Sequence, residues 1–471
     1  MHILDVLIII LYLIVILGVG FYFFRKNKDI DEYYVGGRRL SSLHIGLSVV
    51  ATDVGGGFSI GLGGLGFVMG VSGSWLLFTG LIGAWMSGVF LIPIVSSIAR
   101  EKKFFSFPQF LDYIFDKRVA LIAGIISAIG YLGFTSSQIL AGAKLASSTF
   151  QGLSLDQALL VMGVITVVYT VFGGIKAVIY TDTIQWIILM GGLTLIGLPF
   201  AYTSIGGMEA IRETLDPAFL KLNNVSWQQL VNWAFTIIPI WFVGMTLYQR
   251  IYAARDTRTA KKAWFIAGLF EYPLMAFIGS LLGMFARVAL EQGVISGFTL
   301  ASIDPEMGLP LLLKSVLPVG LLGLVISAYF SAIMSTADSC MMASSGNILT
   351  DVLRKHNNHN SLRYSQFITF AIGASALLLA MSMENVLELM LHSYAFMVAG
   401  MFVPVVAALV HKRPDPIAAF YSMITGGAVS LTLILSGFDL PLGLDPIVFG
   451  IGGGALVYVL VSLGRKNQWK A

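Results

Sequence analysis

The chain alternates between long apolar runs and short polar segments from end to end. A helix that crosses the roughly 30 Å hydrocarbon core of a bilayer needs about 20 mainly apolar residues. The runs that meet this requirement predict thirteen transmembrane helices, at 4–24, 42–68, 74–99, 119–148, 156–173, 177–203, 232–252, 263–288, 308–340, 365–382, 386–411, 416–436 and 445–464. The ninth run is longer than one crossing requires, so we expect it to tilt, to kink or to begin as a loop helix.

The composition supports an integral membrane protein. Of the 471 residues, 57% are hydrophobic and only 11% are charged, whereas an average soluble domain has about 25% charged residues. So few charges could not cover a soluble surface, which excludes a cytosolic enzyme or a nucleic-acid-binding protein. The sequence contains no Walker-type, HExxH or CxxC motif, so we expect no ATPase, zinc site or soluble catalytic domain.

Lys and Arg are distributed unevenly between alternate loops. Of the 29 basic residues, 24 fall on one side of the predicted membrane, and basic loops are typically cytoplasmic. The other side has only five, which are Lys144, Arg212, Lys221, Arg287 and Lys314. We therefore expect a multi-pass protein of the plasma membrane, embedded in the lipid bilayer, with its N-terminus outside and its C-terminus in the cytoplasm.

The second apolar run is interrupted by polar and flexible residues. An Asp at the centre of a span costs about 2.5–3.5 kcal/mol, and Asp53 is followed here by Gly55, Gly56 and Gly57. Each glycine weakens a helix by about 1 kcal/mol relative to alanine. The glycines could simply allow close helix packing, but together with Asp53 they favour an unwound segment that lines a cavity.

The seventh run, five spans later, has its own interruption. Pro239 removes a backbone hydrogen bond, and Gly244 loosens the following turn. Broken helices at matching places in two halves of a transporter indicate a binding site near the middle of the membrane. A five-span offset also gives the two halves opposite orientations. This inference depends on topology, since Pro-kinked membrane helices are common and the two halves show no residue-level repeat.

The ninth run presents oxygen atoms on one helix face. Ala332, Ser335 and Thr336 are spaced i, i+3 and i+4, and small hard cations prefer oxygen ligands. If the carbonyls of Ala51 and Val54 face them, five oxygens form a cation site without a formal charge. Alternatively, the two hydroxyls bond to their own helix, which is the commoner use of such residues.

A second set of oxygens lies one step further along the same run. Ser335, Asp338 and Ser339 again share one helix face, and Asp182 could approach them near the cytoplasmic side. Alternatively, Asp182 and Asp338 pair with cytoplasmic Arg or Lys residues and gate the inner opening.

Five short motifs, taken in order, resemble one known family, the sodium:solute symporters. That family includes sodium-coupled proline, pantothenate, sugar, sialic acid, monocarboxylate and choline carriers, and some motifs are most similar to the choline-carrier and proline-carrier branches. The motifs cover most of the chain and are Tyr34 to Arg38, Ala51 to Gly57, Gly173 to Gln185, Gln249-Arg250 with Ala253 to Ala263, and Ser331 to Ser339.

The resemblance implies an all-α membrane protein with a LeuT-type core of two inverted five-helix repeats. One extra helix precedes this core and two follow it. The units implied are a first helix and cytoplasmic loop, repeat 1, an extracellular loop, repeat 2, and the last two helices with a cytoplasmic tail. Their bounds are 1–41, 42–203, 204–231, 232–411 and 412–471.

The resemblance also implies the ion sites. The coupling ion would be Na⁺, with no organic cofactor. The sodium site common to the family falls on Ala51, Val54, Ala332, Ser335 and Thr336. A possible second sodium site falls on Asp182, Ser335, Asp338 and Ser339.

The solute-binding residues are expected around the broken second span. Choline carriers cage a quaternary ammonium with aromatic rings, but Asp53 stands where one cage Trp would be. This carboxylate could hold a substrate amine or belong to the sodium network. The candidates are Asp53, Gly55, Gly56, Phe58, Phe78, Tyr131, Phe134, Gln138, Trp241 and Thr246. The four candidates Phe58, Phe78, Phe134 and Trp241 could equally pack or gate.

Together these features predict a sodium-coupled secondary active symporter that imports a small organic solute by alternating access. An amino acid or another zwitterion or amine is the preferred solute. The alternatives are a carboxylate, sugar or vitamin as solute, and proton coupling with Asp53 or Asp182 as the proton carrier. A channel or an intramembrane enzyme is a remote alternative, and no nucleic acid or obligatory protein partner is expected.

Overall fold

The computed structural model describes residues 1–26, 35–173, 175–354 and 361–468, and the described chain is built from helices. The α-helices are α1 (Ile3–Lys26), α2 (Ser42–Asp53), α3 (Gly55–Met69), α4 (Trp75–Phe90), α5 (Ile92–Lys102), α6 (Phe107–Ile114), α7 (Lys117–Thr149), α8 (Leu155–Gly173), α9 (Ile175–Gly191), α10 (Leu198–Ser204), α11 (Gly207–Thr214), α12 (Trp227–Val243), α13 (Met245–Ala253), α14 (Thr257–Leu269), α15 (Ala276–Glu291), α16 (Pro305–Val316), α17 (Leu321–Asn347), α18 (Ser361–Ala380), α19 (Val386–Val410), α20 (Pro416–Ser436) and α21 (Pro446–Gln468). Short 3-10 helices span Gly36–Arg38, Gly70–Ser74, Pro217–Leu220 and Pro441–Gly443. Single π-helical turns span Gly192–Gly197, Phe270–Met275 and Ile348–Val352.

Several of these helices are long and apolar enough to cross a membrane. Among the described residues there are 8 such spans, or 9 when the bent pair α12 and α13 counts as one. Shorter apolar helices lie at Ile3–Val15 and Leu155–Val171. The predicted all-helical membrane architecture is confirmed, and the count of thirteen crossings stays a prediction.

The second span is broken between α2 and α3. Gly55 has a φ of +44°, in a region of backbone conformation that side chains disfavour, and Val54 immediately before it is fully buried. The break is shorter than the sequence predicts, because Gly56 and Gly57 already belong to α3. One residue in the left-handed region interrupts the regular helix at this point.

The seventh span is broken at Gly244, where α12 and α13 meet at an angle of 42°. Gly244 has a ψ of 113°, outside the helical region, while Pro239 lies within α12. The predicted weakness at Pro239 therefore does not end the helix. Proline removes one hydrogen bond but has a φ that suits a helix. The extended ψ of Gly244, in contrast, ends the helix at that residue.

The predicted ninth span divides into two helices, α16 and α17, so its first part is a separate loop helix. The turn between them contains Gly320, with a φ of +90°. The Asp5 carboxylate of α1 accepts the backbone N–H groups of Gly320 at 2.6 Å and Gly323 at 3.0 Å. A carboxylate at a helix N-terminus is favourable, so α1 fixes the start of α17. Most of α17 is buried, where it packs against α7, α9 and α1.

Candidate functional site

The break between α2 and α3 lies directly against the middle of α17. The Thr336 hydroxyl oxygen is 3.0 Å from the Ala51 carbonyl oxygen and 3.1 Å from the Ala332 carbonyl oxygen. A Cβ on Gly55 would collide with the same hydroxyl. A hydroxyl that only bonds to its own helix explains the Ala332 contact but not the contact with Ala51 on another helix. Three of the predicted ligand oxygens therefore converge on one point.

Ser335 lies next to this point and faces a different partner. Its hydroxyl donates a short hydrogen bond to one oxygen of the Asp182 carboxylate on α9. The other oxygen of Asp182 accepts a hydrogen bond of 2.5 Å from the Ser48 hydroxyl on α2. The sequence places Ser335 in both predicted sets of oxygens, and in this structure its hydroxyl faces Asp182.

Arg250 of α13 forms the centre of the polar contacts around Asp182, and its side chain is fully buried. The guanidinium lies 3.6 Å from the Asp182 carboxylate. It also donates to the hydroxyls of Thr52 at 2.7 Å and Ser339 at 2.8 Å, and to that of Ser48. Four helices, α2, α9, α13 and α17, are thereby joined through one side chain. We call these five residues the Arg250 network.

Asp338 lies outside the Arg250 network, although the sequence groups it with Ser339. One of its carboxylate oxygens accepts a short hydrogen bond from the Thr170 hydroxyl of α8. Its other oxygen is buried and has no hydrogen-bond partner among the described residues. The predicted second set of oxygens is therefore divided in this structure. Asp182, Ser335 and Ser339 belong to the contacts around Arg250 and Asp182, whereas Asp338 contacts Thr170.

Several predicted solute-binding residues lie beside the two helix breaks, at Val54-Gly55 and at Gly244. The Asp53 carboxylate accepts a hydrogen bond of 3.3 Å from the Tyr394 hydroxyl, and the Tyr394 ring stacks on Phe134 with centroids 4.8 Å apart. The hydroxyls of Tyr131 and Thr246 are 3.0 Å apart. This group combines one carboxylate with aromatic and hydroxyl groups, which suits a solute that is both polar and partly apolar.

The remaining predicted solute residues have other surroundings. The Gln138 side-chain oxygen accepts the Gly57 backbone N–H at 3.0 Å, so it stabilises the start of α3. Phe78 packs edge-on against Tyr272 with centroids 5.0 Å apart. Trp241 is fully buried, and its indole N–H has no partner among the described residues. The surroundings of Gly56, the side chain of Phe58, and the motif residues Tyr34 and Gly174 lie outside the described part of the chain.

A cavity of about 450 Å³ opens at the end of the bundle that carries the loops before α16, α19 and α21. Leu391 and Ala395 of α19 also line it. Asp445 lines its mouth, where burial raises the pKa of this carboxyl and nearby His392 partly offsets the increase. The cavity thus carries carboxylates from two of these loops, Asp304 and Asp445.

Lys144 stabilises the wall of this cavity. The ammonium group is 2% exposed and lies 2.6 Å from both the Asp304 and the Glu306 carboxylates. Glu306 also accepts the backbone N–H groups of Val386 and Leu387, each at 2.9 Å, and so caps the N-terminus of α19. Lys144, which the sequence shows only as a single charge among apolar residues, joins α7, α16 and α19.

Sequence reasoning missed three residues of this region. Arg250 lies at the cytoplasmic end of the seventh predicted span and belongs to the basic side of the membrane, but the structure buries it within α13. Glu271 is an acidic residue inside the eighth predicted span, and the rule that singled out Asp53 would have found it. Tyr394 gave no signal, because a tyrosine in an apolar run is compatible with ordinary packing.

The chain is similar to known transport proteins over most of its length. The model of the sodium:solute symporter family matches residues 33–426. The chain is 26% identical to the osmoregulated proline transporter of Bacillus subtilis (strain 168), over 98% of this chain and 95% of that protein. It is 25% identical to sodium/glucose cotransporter 1 of Oryctolagus cuniculus, over 92% of this chain and 72% of that protein. A solved Na⁺-coupled sialic acid symporter, substrate-bound and outward-open, is similar with a TM-score of 0.81 and 21% identity, covering 98% of this chain and 97% of that chain.

The fold and the matched relatives define a multi-pass membrane transporter rather than an enzyme. The chain belongs to the sodium:solute symporter family, so the resemblance found in the motifs is confirmed. The similarity to the sialic acid symporter concerns the fold alone. The relatives named above carry solutes as different as proline and glucose, and family membership therefore leaves the solute of this chain open.

Proposed function

We propose that this protein is a sodium-coupled symporter that imports a small organic solute by alternating access. The observation that carries the proposal is the convergence of the Thr336 hydroxyl with the Ala51 and Ala332 carbonyls across a broken helix. Oxygen atoms without formal charge suit a weakly held monovalent cation. Sodium there would bridge α2 and α17, and the family and fold matches support sodium as the coupling ion.

In this proposal the sodium ligands are the Ala51, Val54 and Ala332 carbonyls with the Ser335 and Thr336 hydroxyls. Ser335 would have to turn from Asp182 toward Ala51, which is a single side-chain rotation. A second ion would bind between Asp182, Ser335, Asp338 and Ser339. The buried Asp338 oxygen that has no described partner supports a ligand at that place.

Coupling would come from differential stabilisation of conformations. Sodium bound at the helix break favours the conformation in which α2 and α17 are together, and the solute binds best to that conformation. A membrane potential of 100 mV supplies about 2.3 kcal/mol per monovalent ion, and a tenfold gradient adds about 1.4 kcal/mol. One sodium ion could therefore support accumulation of a neutral solute by roughly 500-fold.

The proposed topology is the LeuT-type arrangement of thirteen spans, with repeats at 42–203 and 232–411. The segments 1–41, 204–231 and 412–471 lie outside the repeats. The bias of Lys and Arg supports a plasma-membrane protein with the N-terminus outside. In that orientation the cavity near Asp445 faces outward, while the Arg250 network closes the cytoplasmic side.

We propose an amino acid or another zwitterion or amine as the solute. The buried Asp53 carboxylate beside the Phe134 and Tyr394 rings supports this choice, as does the overall similarity to a proline transporter. Asp53, Gly55, Gly56, Phe58, Phe78, Tyr131, Phe134, Gln138, Trp241 and Thr246 remain the proposed solute-binding residues.

Uptake into proteoliposomes tests the proposal. Radiolabelled amino acids should accumulate when an inward sodium gradient is imposed, and an inside-negative potential should increase the accumulation. Uptake that ignores sodium but follows a proton gradient would contradict sodium coupling. Fast passive flux that never exceeds equilibrium would indicate a channel.

A further inference from the structure

A small cavity lies at the end of the bundle that the distribution of Lys and Arg predicts to be cytoplasmic. Its volume is about 110 Å³. It forms where α6, the start of α7 and the π-helical turn Ile348–Val352 after α17 come together, and its lining residues are Gln109, Asp112, Ala120, Thr350, Asp351 and Arg354. Segments that are far apart in the sequence therefore place two aspartates in one small cavity.

The two carboxylate oxygens of Asp351 differ in their surroundings, although the residue as a whole is only 4% exposed. One oxygen accepts a hydrogen bond of 2.7 Å from the hydroxyl of Ser106, which caps the N-terminus of α6. The other is buried and has no hydrogen-bond partner among the described residues. A buried carboxylate oxygen without a partner carries a cost of desolvation that a ligand can remove.

The neutral polar groups beside Asp351 are acceptors toward this cavity. A hydroxyl donates only one hydrogen bond, and the Thr350 hydroxyl donates its own to the Gly346 carbonyl at 2.8 Å. No hydrogen bond joins the Gln109 amide group to Asp112 or Asp351 among the described residues. The cavity therefore lacks a positive group, and it already has acceptor oxygens.

Arg354 is the nearest candidate for an internal partner, since it lines the same cavity. Its guanidinium donates to the Lys117 carbonyl at 3.3 Å instead, and no ion pair joins it to Asp112 or Asp351 within the described chain. Arg354 is also exposed, so water screens its charge. The negative charge of the cavity is therefore not neutralised by an ion pair with this side chain.

Glu306 shows what a carboxylate with a purely structural role looks like in this protein. One of its oxygens accepts the Leu387 N–H, and the other accepts the Val386 N–H and the Lys144 ammonium group. Asp351 has half of such an arrangement. Its contact with Ser106 holds α6 against the end of α17, and its second oxygen remains available.

The side chains around the cavity form a donor set made of oxygen, which hard cations prefer. Two carboxylates come from Asp112 and Asp351, and neutral oxygens come from Gln109 and Thr350. Ca²⁺ takes about 6–8 oxygen ligands, whereas Mg²⁺ keeps several of its waters and is typically held by one or two carboxylates. A water molecule occupies about 30 Å³, so the cavity has room for a small ion with about two or three waters. The donor set and the volume both fit a partly hydrated ion.

We propose that Asp112 and Asp351 together bind a partly hydrated divalent cation of the Mg²⁺ type. Gln109 and Thr350 supply neutral oxygens to the same ion. The site is separate from the proposed sodium sites, whose ligands lie on α2, on α9 and in the middle of α17. A cation here joins α6 to the end of α17 and stabilises their packing. Its binding requires neither sodium nor solute.

Thermal stability of the full-length protein in detergent tests the site. The protein is stripped of metal with EDTA, dialysed and titrated with MgCl₂ at constant NaCl, and KCl of equal ionic strength is the salt control. We expect a saturable rise in melting temperature with MgCl₂ and no such rise with KCl. Mn²⁺ is the spectroscopic probe, because binding removes the electron paramagnetic resonance signal of the free ion. Mg²⁺ should displace the bound Mn²⁺.

The variant Asp112→Asn removes one charged ligand without breaking a hydrogen bond of the described chain. We expect it to weaken Mn²⁺ binding at least about tenfold, because the charge of the ligands sets the affinity of such sites. The melting temperature without metal should be unchanged or higher. Asp351→Asn should weaken binding as much, but it also disturbs the Ser106 contact. The exposed Glu101→Gln is the matched control and should bind Mn²⁺ normally.

The variant Arg354→Gln distinguishes a bound cation from an internal ion pair. Removal of a positive charge beside the cavity should strengthen Mn²⁺ binding, because like charges repel. If Arg354 itself neutralised the aspartates, this variant would lower the melting temperature in metal-free buffer and would not improve Mn²⁺ binding.

That result would overturn the assignment. Equal Mn²⁺ affinity in the native protein and in Asp112→Asn would also overturn it, as would a melting temperature that responds to KCl as it does to MgCl₂. Ca²⁺ binding that is much tighter than Mg²⁺ binding would contradict a hydrated ion of the Mg²⁺ type. None of these measurements involves transport, so a failure of the proposed symport would leave their outcome unchanged.

Discussion

The Thr336 hydroxyl of α17 lies 3.0 Å from the Ala51 carbonyl of α2, in a helix that is broken three residues later. Two residues separated by 285 positions in the chain thus meet at the one place where α2 loses its regular hydrogen bonding. A helix break frees backbone oxygens, and a hydroxyl that faces them completes a small cluster of uncharged ligands. The contact also means that any motion of α2 relative to α17 must disrupt this cluster.

Thr336→Ala should raise the sodium concentration for half-maximal uptake about tenfold, because one hydrogen-bonding ligand contributes about 1–2 kcal/mol. The measurement is sodium-dependent uptake into proteoliposomes. Thr336→Ser should behave almost normally because it keeps the hydroxyl. Thr369→Ala is the control, since Thr369 is a buried threonine that bonds only to its own helix. Equal sodium dependence in Thr336→Ala and Thr369→Ala would remove Thr336 from the ion site.

Gly55→Ala should abolish uptake and lower the melting temperature. The left-handed backbone at Gly55 costs an L-residue about 1–2 kcal/mol, and the new methyl group would collide with the Thr336 hydroxyl. Gly191→Ala is the matched control, because a Cβ there meets no atom within 4 Å. A Gly55→Ala protein with normal stability and uptake would show that the break does not need this conformation.

Arg250→Ala should destabilise the protein strongly, because it leaves the Asp182 carboxylate buried without its cation. Breaking a buried ion pair typically costs about 3–5 kcal/mol. Arg250→Ala, Asp182→Asn and the double variant form a double-mutant cycle, in which the loss of stability of each variant is obtained from its melting temperature. We expect the double variant to be more stable than the sum of the single effects by about 1–3 kcal/mol. Strict additivity would mean that the two residues act independently. Arg250→Lys should only partly retain the stability, since a lysine cannot reproduce the planar fork of donors.

Lys144→Met should loosen the connection between α7, α16 and α19 without touching the ion site. Glu306 would lose its ammonium partner while keeping its two backbone hydrogen bonds, so we expect a drop of several degrees in melting temperature. Sodium affinity should change less than twofold. A change in sodium affinity as large as that of Thr336→Ala would contradict this separation of roles.

Asp445 should contribute a pH dependence of the stability. Burial raises the pKa of this carboxyl in the folded protein, so ionisation opposes folding at neutral pH and the penalty disappears as the pH falls through the folded pKa toward the unfolded value of about 3.9. The melting temperature of Asp445→Asn should therefore exceed that of the native protein by most near pH 7, and the difference should vanish near pH 4. If the difference in melting temperature grew on acidification, the pKa of Asp445 would be lowered rather than raised by folding.

Much of the architecture could be predicted from local sequence. The apolar runs, Asp53 with its glycines and the i, i+3, i+4 spacing on the ninth run are properties of neighbouring residues. They indicated a helical membrane protein, a broken second span and a face of oxygen ligands. The ordered motifs indicated the family, which the match over residues 33–426 establishes.

The predictions were weaker where distant residues decide the outcome. Pro239 and Gly244 both suggested a break, and only the backbone angles show that Gly244 is the residue that makes it. Arg250 lies at the basic end of the seventh predicted span, where the local sequence does not show its partners. Its role depends on partners far away along the chain, such as Asp182 and Thr52.

By itself, the sequence determined that the chain is a helical membrane protein, where helices weaken and which oxygen-bearing residues share a face. The tertiary structure alone decided that Arg250 joins four helices, that Ser335 faces Asp182, and that Lys144 joins α7, α16 and α19. The physical reason is that helix formation and membrane insertion depend on each segment's own composition. The pairing of buried charges, in contrast, depends on which helices pack together, and that is set by the whole chain.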